Sequence, residues 1–222
     1  MINIRKDIFI TGTGTDVGKT FVAGLILKNL ITSGVNAAYF KAAMSGNSRD
    51  ENKNLIPGDA LYVKKISGTS QSLESMCPYV YERSYSPHLA ARLEGNPVDL
   101  DLVAEKFHEL KKIYDCVIVE GSGGILCPVR FDENKKIWLE DVIKILDLSC
   151  VLVADAGLGT INAVGLTVEY MKAKKISLEG IIFNHFEDGN ILHSDNLKMC
   201  EFLTGSKVLA CIHENDKEIK LK

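Results

Sequence analysis

Gly12-Thr13-Gly14-Thr15-Asp16-Val17-Gly18-Lys19-Thr20 follows an apolar run, Ile8-Phe9-Ile10-Thr11. It precedes a stretch in which Phe21, Val22, Leu25, Ile26 and Leu30 recur at helical spacing. Strand, glycine-rich turn, Gly-Lys-Thr and helix form the arrangement that holds nucleotide phosphates. The glycines let the backbone curl so that successive N–H groups point inward at an anion. The helix begins at the turn, so its unpaired N–H groups and positive dipole end face the same place. In this reading Lys19 reaches the β- and γ-phosphates, and the Thr20 hydroxyl sits on Mg²⁺. The strict pattern is G-x-x-x-x-G-K-[ST]. Here its first glycine position holds Thr13, with Gly12 one residue further out, so the loop is a variant P-loop. The bland reading is a Gly-rich βα turn that binds nothing; the Gly-Lys-Thr and the strand–helix context argue against it.

Outward from the loop, apolar runs alternate with helical patterns. Residues 7–11 read as a strand and 19–33 as a helix that Gly34 can end. A second strand covers 37–41, and the polar residues 42–57 read as a long loop. Another helix begins at Asp59. Residues 76–87 look irregular, and Ser86-Pro87 suits a helix start. Residues 99–113 are helical, with Leu102, Val103, Phe107 and Leu110 on a stripe. A strand over 115–120 runs into Gly121-Ser122-Gly123-Gly124. A helix over 139–146 and a strand over 149–154 follow. Thr160 is a plausible cap for a helix over 160–173. A strand over 178–184, a helix near 195–204 and a strand over 207–212 close the pattern. Several strands are apolar on both faces. The expected fold is therefore α/β: a parallel-sheet, P-loop NTPase-like fold with helices on both faces.

Composition sets outer bounds. A chain of 222 residues suits one domain with a core of its own. The net charge of -3 gives no general basic surface of the kind nucleic acid needs. Lys135-Lys136 and Lys172, Lys174 and Lys175 read as solvated surface. Six cysteines are scattered without a C-x-x-C, which favours reduced thiols over zinc or disulfides. No signal-peptide h-region and no apolar run of membrane-spanning length is evident, so a cytoplasmic protein is expected.

In parallel α/β sheets ligands bind at the carboxyl ends of strands. Besides the P-loop, Lys41, Glu120 and Asn184 stand at such ends. A carboxylate at Glu120 can hold Mg²⁺ opposite Thr20; otherwise it is a solvent-facing strand terminus. Lys41, with Ser45 four residues beyond, can neutralise a transferred phosphoryl group or be a plain surface charge. Asp59 can be a helix N-cap or a second Mg²⁺ ligand. Asn184 can pair with a base edge or close a strand-end turn. His88, His108, His185 and His213 have no acidic or nucleophilic partner at a telling spacing, and His193 beside Ser194 and Asp195 makes no triad by sequence alone.

Several segments together resemble the dethiobiotin synthetase family over roughly residues 7–190. Gly12 to Thr20 is similar to that family's GTDTEVGKT loop. Tyr39-Phe40-Lys41-Ala42-Ala43-Met44-Ser45-Gly46 resembles its YKPVxSG, Gly58-Asp59-Ala60 its SDA, and Ser86-Pro87-His88 its SPH. Val119 to Gly124 resembles VEGAGG, and Gly157-Leu158-Gly159-Thr160-Ile161-Asn162 matches GLGTIN. The resemblance implies carboxylation of 7,8-diaminononanoate with CO₂ or bicarbonate, then closure of a cyclic urea, with ATP becoming ADP and phosphate. It passes through a carbamate and a carbamic-phosphoric anhydride. It further implies Lys41, Lys19 and Thr15 in catalysis, and Thr20, Asp59 and Glu120 as Mg²⁺ ligands. The ATP contacts implied are Asp16, Val17, Gly18, Lys19, Thr20, Phe21, Asp59, Glu120, Gly121, Ser122, Gly123, Asn184 and His185, with Asn184 on adenine. The substrate contacts implied are Ser45, Thr15, Gly159, Thr160, Ile161 and Asn162. The last four act across the interface of a homodimer. Gly14, Asp16, Ala42, Ser122 and His185 depart from the family pattern, and residues 211–215 stand where a Pro-rich adenine-side loop is usual.

Two other readings compete. A ParA/MinD-like dimeric ATPase switch would carry a second lysine near the loop start, and Gly12 to Val17 has none. A cobyrinate-type amide ligase would need a glutamine amidotransferase domain, for which 222 residues leave no room.

Overall fold

Strands that are apolar on both faces need cover on both sides, and the chain supplies it by alternating strand with helix. The computed structural model describes residues 6–221. Its elements are β1 (Ile8–Gly12), α1 (Lys19–Thr32), β2 (Ala37–Lys41), β3 (Ala43–Met44), α2 (Gly58–Ser67), α3 (Leu73–Met76) and β4 (Tyr79–Val80). Next come α4 (Pro87–Glu94), α5 (Leu100–Lys111), β5 (Cys116–Glu120), β6 (Pro128–Phe131), β7 (Lys136–Trp138) and α6 (Leu139–Ile145). The chain continues with β8 (Ser149–Asp155), α7 (Thr160–Ala173), β9 (Leu178–Asn184), α8 (Ile191–Thr204) and β10 (Val208–Cys211).

Among the described residues, six strands form one sheet in the order β10-β9-β8-β1-β5-β2. Every pairing in it is parallel. Alternation along β1 sends Ile8 and Ile10 to one side and Phe9 to the other. The first side packs on Val22, Leu25 and Ile26 of α1 and Ala60 and Val63 of α2. The second packs on α4, α5 and α6 through Ala90, Val103, Phe107 and Val142. A third cluster joins β8 and β9 to Val164 and Val168 of α7 and Cys200 of α8. Fully burying a side chain of this size is worth about 1.5–3 kcal/mol, so these three clusters dominate the stability.

Several sequence expectations shift. The region over 42–57 contains β3, and the irregular stretch over 76–87 contains β4, which pairs with it in parallel. The antiparallel hairpin β6–β7 was not expected at all. Its turn is an Asx turn, with Asp132 Oδ1 accepting from the Asn134 and Lys135 N–H groups at 2.8 Å. The last helix starts at Ile191 and not near 195, because the Asn190 side chain caps it by accepting from Leu192 N and His193 N. Thr160 is not a cap. Gly159, at φ 92, holds that position, and Thr160 is the first helical residue. Asp59 is no cap either: Pro57 precedes the helix and Asp59 lies in its first turn. Leu102 faces outward, while Val103, Phe107 and Leu110 are buried.

Strand β2 closes one edge of the sheet, with its backbone open to further pairing. The buried Gln71 occupies that edge: Tyr39 N–H donates to its Oε1 at 2.8 Å, and its Nε2 donates to Tyr39 C=O at 3.0 Å. Gln71→Ala strands both backbone groups and should cost about 1–3 kcal/mol, read as a lower urea midpoint at unchanged slope.

Candidate functional site

Alternation decides which side chains meet at the carboxyl edge. Tyr39 in β2 and Ile118 in β5 pack on the α1 side of the sheet. Lys41 and Glu120, two residues on in each strand, leave toward the same side. They are also register partners, and Glu120 lies opposite Ile10 on β1. The P-loop follows β1 directly, so Thr20, in the first turn of α1, arrives at the same place.

The result is a polar cluster centred on Glu120, which is 1% exposed. Thr20 Oγ1 donates to its Oε1 at 2.9 Å, and the Tyr39 hydroxyl donates to Oε2 at 2.7 Å. The Lys41 ammonium donates to Glu120 Oε1 at 2.7 Å and to Asp59 Oδ2 at 2.6 Å. Burial works against the Lys41 charge, yet Glu120 and Asp59 outweigh it and hold the ammonium above its ordinary pKa. Burial and the Glu120 charge push the Tyr39 phenol well up, so it stays a donor.

Lys19 folds back on its own loop and donates to Gly14 C=O at 2.7 Å. Burial lowers its pKa, with Glu120 opposing that shift and Lys41 adding to it. Gly18 has φ 91, and a Cβ there would stand 2.0 Å from Asn184 Nδ2. Asn184, at the end of β9, is buried under the P-loop, and its Nδ2 donates to Val17 C=O at 3.2 Å. Asp16 takes φ 59, a conformation Asp tolerates. Thr15 Oγ1 lies 3.8 Å from where a Cβ on Gly123 would sit, so the P-loop and the glycine turn after β5 are neighbours. In that turn Gly121 N–H donates to Ile10 C=O at 2.9 Å, and Ser122 Oγ donates to Ala43 C=O at 2.9 Å. Ser45 Oγ donates to Tyr85 C=O at 2.6 Å, and Phe21 is half-buried beside the loop.

The fold thus gathers Lys19, Thr20, Lys41, Asp59, Glu120 and Asn184 along one edge. Gly159, Thr160, Ile161 and Asn162 are elsewhere. Gly159 caps α7 and the other three begin it; Gly159, Ile161 and Asn162 line a cavity of about 620 Å³ with Leu166 of α7 and Leu203 of α8, Thr160 is buried, and Leu158 beside them is 91% exposed.

Two groups escaped the sequence reading. Tyr39 shares a face with Lys41 by the period of the strand, which could have revealed it. Asp155 ends β8 just as Glu120 ends β5, so the rule of strand ends already pointed to it. It corrects the reading of the histidines: His185 does have an acidic partner, with its Nδ1 2.6 Å from Asp155 Oδ2. His213 likewise has its Nδ1 3.1 Å from Asp216 Oδ2. Burial alone would raise the Asp155 carboxyl, but hydrogen bonds from His185 and Gly157 outweigh it and hold it low.

Among the described residues, no three acidic, thiol or imidazole side chains gather into a metal cage, and no helix is long and apolar enough to cross a membrane. The hydroxyl of Thr20 and the carboxylates of Asp59 and Glu120 are hard oxygen donors in one hydrogen-bonded cluster. That donor set fits Mg²⁺, which takes a few protein oxygens and completes its shell with phosphate and water.

The family described as an AAA domain matches residues 6–219. The ATP-dependent dethiobiotin synthetase BioD of Brachyspira hyodysenteriae is 48% identical over 209 residues, which cover 94% of this chain and 92% of that protein. The same enzyme of Clostridium novyi is 47% identical over 222 residues, covering 98% and 93%. Among solved structures, the MinC:MinD cell division protein complex of Aquifex aeolicus aligns with a TM-score of 0.59 at 15% identity, over 96% of this chain and 83% of that one. A ParA family ATPase from Chlorobium tepidum aligns with a TM-score of 0.55 at 14% identity, over 95% and 86%. At such identity the likeness to these two is one of fold alone.

Proposed function

The chain belongs to the ATP-dependent dethiobiotin synthetases, enzymes of biotin biosynthesis, and from that premise we propose how its residues divide the reaction. The substrates are 7,8-diaminononanoate, CO₂ or bicarbonate, and ATP. A carbamate on one amine attacks the γ-phosphorus and ADP leaves. The neighbouring amine then attacks the carbonyl carbon of the mixed anhydride, gives up its proton and expels phosphate, closing the cyclic urea. A carbamate oxygen is a poor leaving group until phosphorylated, so positioning and charge neutralisation carry the chemistry, with no protein nucleophile.

The observation that carries this reading is the Lys41 ammonium held between Asp59 and Glu120 beside Thr20. It fixes a positive charge two hydrogen bonds, through Glu120 Oε1, from Thr20 of the P-loop helix, where a phosphoryl group would arrive. Lys19 leaves the Gly14 carbonyl for phosphate oxygens, and Lys41 offsets charge on the group in transfer. Thr20, Asp59 and Glu120 would hold Mg²⁺, which when bound would neutralise phosphate charge. Tyr39 fixes the Glu120 carboxylate from behind. Asp16, Val17, Gly18 and Phe21 with the Gly121–Gly123 turn surround the phosphates, Thr15 and Ser45 contact substrate or phosphate, and Asn184 and His185 stand at the base.

The reading extends to a homodimer. Leu158, Leu166, Phe202 and Leu203 are 91%, 65%, 84% and 53% exposed around the start of α7 and the end of α8, an apolar area of the kind subunits bury. In the dimer, the first N–H groups of α7, at Gly159, Thr160, Ile161 and Asn162, bind the substrate carboxylate in the neighbouring subunit's site.

Mg²⁺-ATP turnover tests the assignment. ADP release should require both diaminononanoate and bicarbonate, with one ADP per dethiobiotin. ADP release independent of the diamine would overturn it.

A further inference from the structure

His185 and Asp155 form a chain of hydrogen bonds that ends on the Asn184 amide. Asp155 accepts twice: Gly157 N–H donates to Oδ1 at 2.7 Å, and the His185 ring reaches Oδ2 at 2.6 Å through Nδ1. A carboxylate only accepts, so Nδ1 carries the proton; Nε2 faces an amide nitrogen that only donates, so Nε2 is the acceptor. Nε2 lies 3.1 Å from Asn184 Nδ2. The second Asn184 amide hydrogen goes to Val17 C=O at 3.2 Å. Both hydrogens are therefore directed into protein acceptors, and the flipped amide would turn its oxygen onto the Val17 carbonyl and an imidazole lone pair. Oδ1 is left buried with no partner among the described residues. A buried orphan acceptor is costly unless a ligand donates to it. His185 also lines a cavity of about 490 Å³ with Phe186, His213 and Asp216.

We propose that Asp155 and His185 are positioning residues that lock the Asn184 amide with its oxygen toward the ligand, and so make the site select a nucleobase bearing an amino group over one bearing an oxo group. The proposal rests on the reading that Asn184 stands at the base. The donor it awaits is an exocyclic –NH₂; a 6-oxo purine would set oxygen against oxygen. ATP and inosine triphosphate differ in that group and share the purine frame, so they isolate the effect.

The test is the ratio of kcat/KM for ATP to that for inosine triphosphate, with diamine and bicarbonate saturating. The unsubstituted enzyme should favour ATP about 10- to 100-fold, the size of one mismatched buried hydrogen bond. Asn184→Ala should bring the ratio close to one. His185→Phe removes the acceptor at Nε2 and should lower the ratio about tenfold, through KM for ATP more than through kcat. Asp155→Asn is the sharper probe. Its oxygen can keep Gly157 while its NH₂ faces Nδ1, which moves the ring proton to Nε2 and reverses the amide. The ratio should then fall to one or below, and ¹⁵N shifts of the His185 ring should report the exchanged tautomer. If Asn184→Ala keeps the unsubstituted ratio, Asn184 does not read the base and the underlying assignment fails. If Asn184→Ala collapses the ratio while His185→Phe and a well-folded, tautomer-exchanged Asp155→Asn retain it, the positioning role alone is wrong.

Discussion

Lys41→Ala is expected to lower kcat about 10²- to 10³-fold, the cost typical of deleting one preorganised donor to developing charge. ATP affinity, measured by calorimetric titration in the absence of diamine, should weaken less than about tenfold. In the proposed reading Lys19 and the P-loop amides hold the phosphates whether or not transfer occurs, whereas Lys41 stands with Glu120 at the end of β5 and Asp59 in the first turn of α2. Equal losses in kcat and affinity would mean that Lys41 merely grips nucleotide. A folding effect accompanies the substitution. Glu120 is buried, and removing its cation leaves a charge without a counter-ion, a change that costs about 3–5 kcal/mol where both partners are buried. The exposed side of Asp59, at 40%, softens this. Lys41→Gln keeps most of the side chain's packing and a donor but no charge, so it separates the loss of charge from the loss of packing. It should unfold nearer the unsubstituted protein and still lose turnover.

Gly18→Ala is expected to weaken ATP binding by at least about 100-fold. Two causes add. At φ 91 an alanine is strained by about 1–2 kcal/mol, and its Cβ would lie 2.0 Å from Asn184 Nδ2 and 3.0 Å from its Cγ. The amide cannot swing aside cheaply, because Val17 and His185 both hold it. The loop must move instead, and the inward-facing N–H groups move with it. A double-mutant cycle with Asn184→Ala separates the two causes, since the shortened side chain removes the collision and leaves the strain. Titration of each variant with ATP should show Gly18→Ala less damaging in that background. Purely additive losses would contradict the steric account.

The edge where the site forms was legible because parallel α/β sheets put their strand ends together, and the strands could be read from their apolar runs. Lys41, Glu120 and Asn184 were found by that rule, and the Gly-Lys-Thr turn by its glycines. Asp155 obeys the same rule and was passed over. Tyr39 was hidden because a tyrosine in an apolar strand looks like core, and only the period of two links its hydroxyl to Glu120. The His185–Asp155 contact joins residues thirty positions apart, and no local pattern encodes it. The hairpin β6–β7 was missed because its strands are four and three residues long, too short for alternation to stand out. The start of α8 was misplaced because Asn190 resembles an ordinary loop residue until its side chain is seen accepting two amides.

The single glutamine laid along the outermost strand has a consequence for the protein's behaviour in a crowded cell. An uncovered sheet margin recruits passing chains into intermolecular β-structure. Here that margin ends in Lys41, so self-association along it would also cover the polar cluster around Glu120. One amide, set broadside to the strand, already occupies the Tyr39 N–H and C=O through which such pairing would begin.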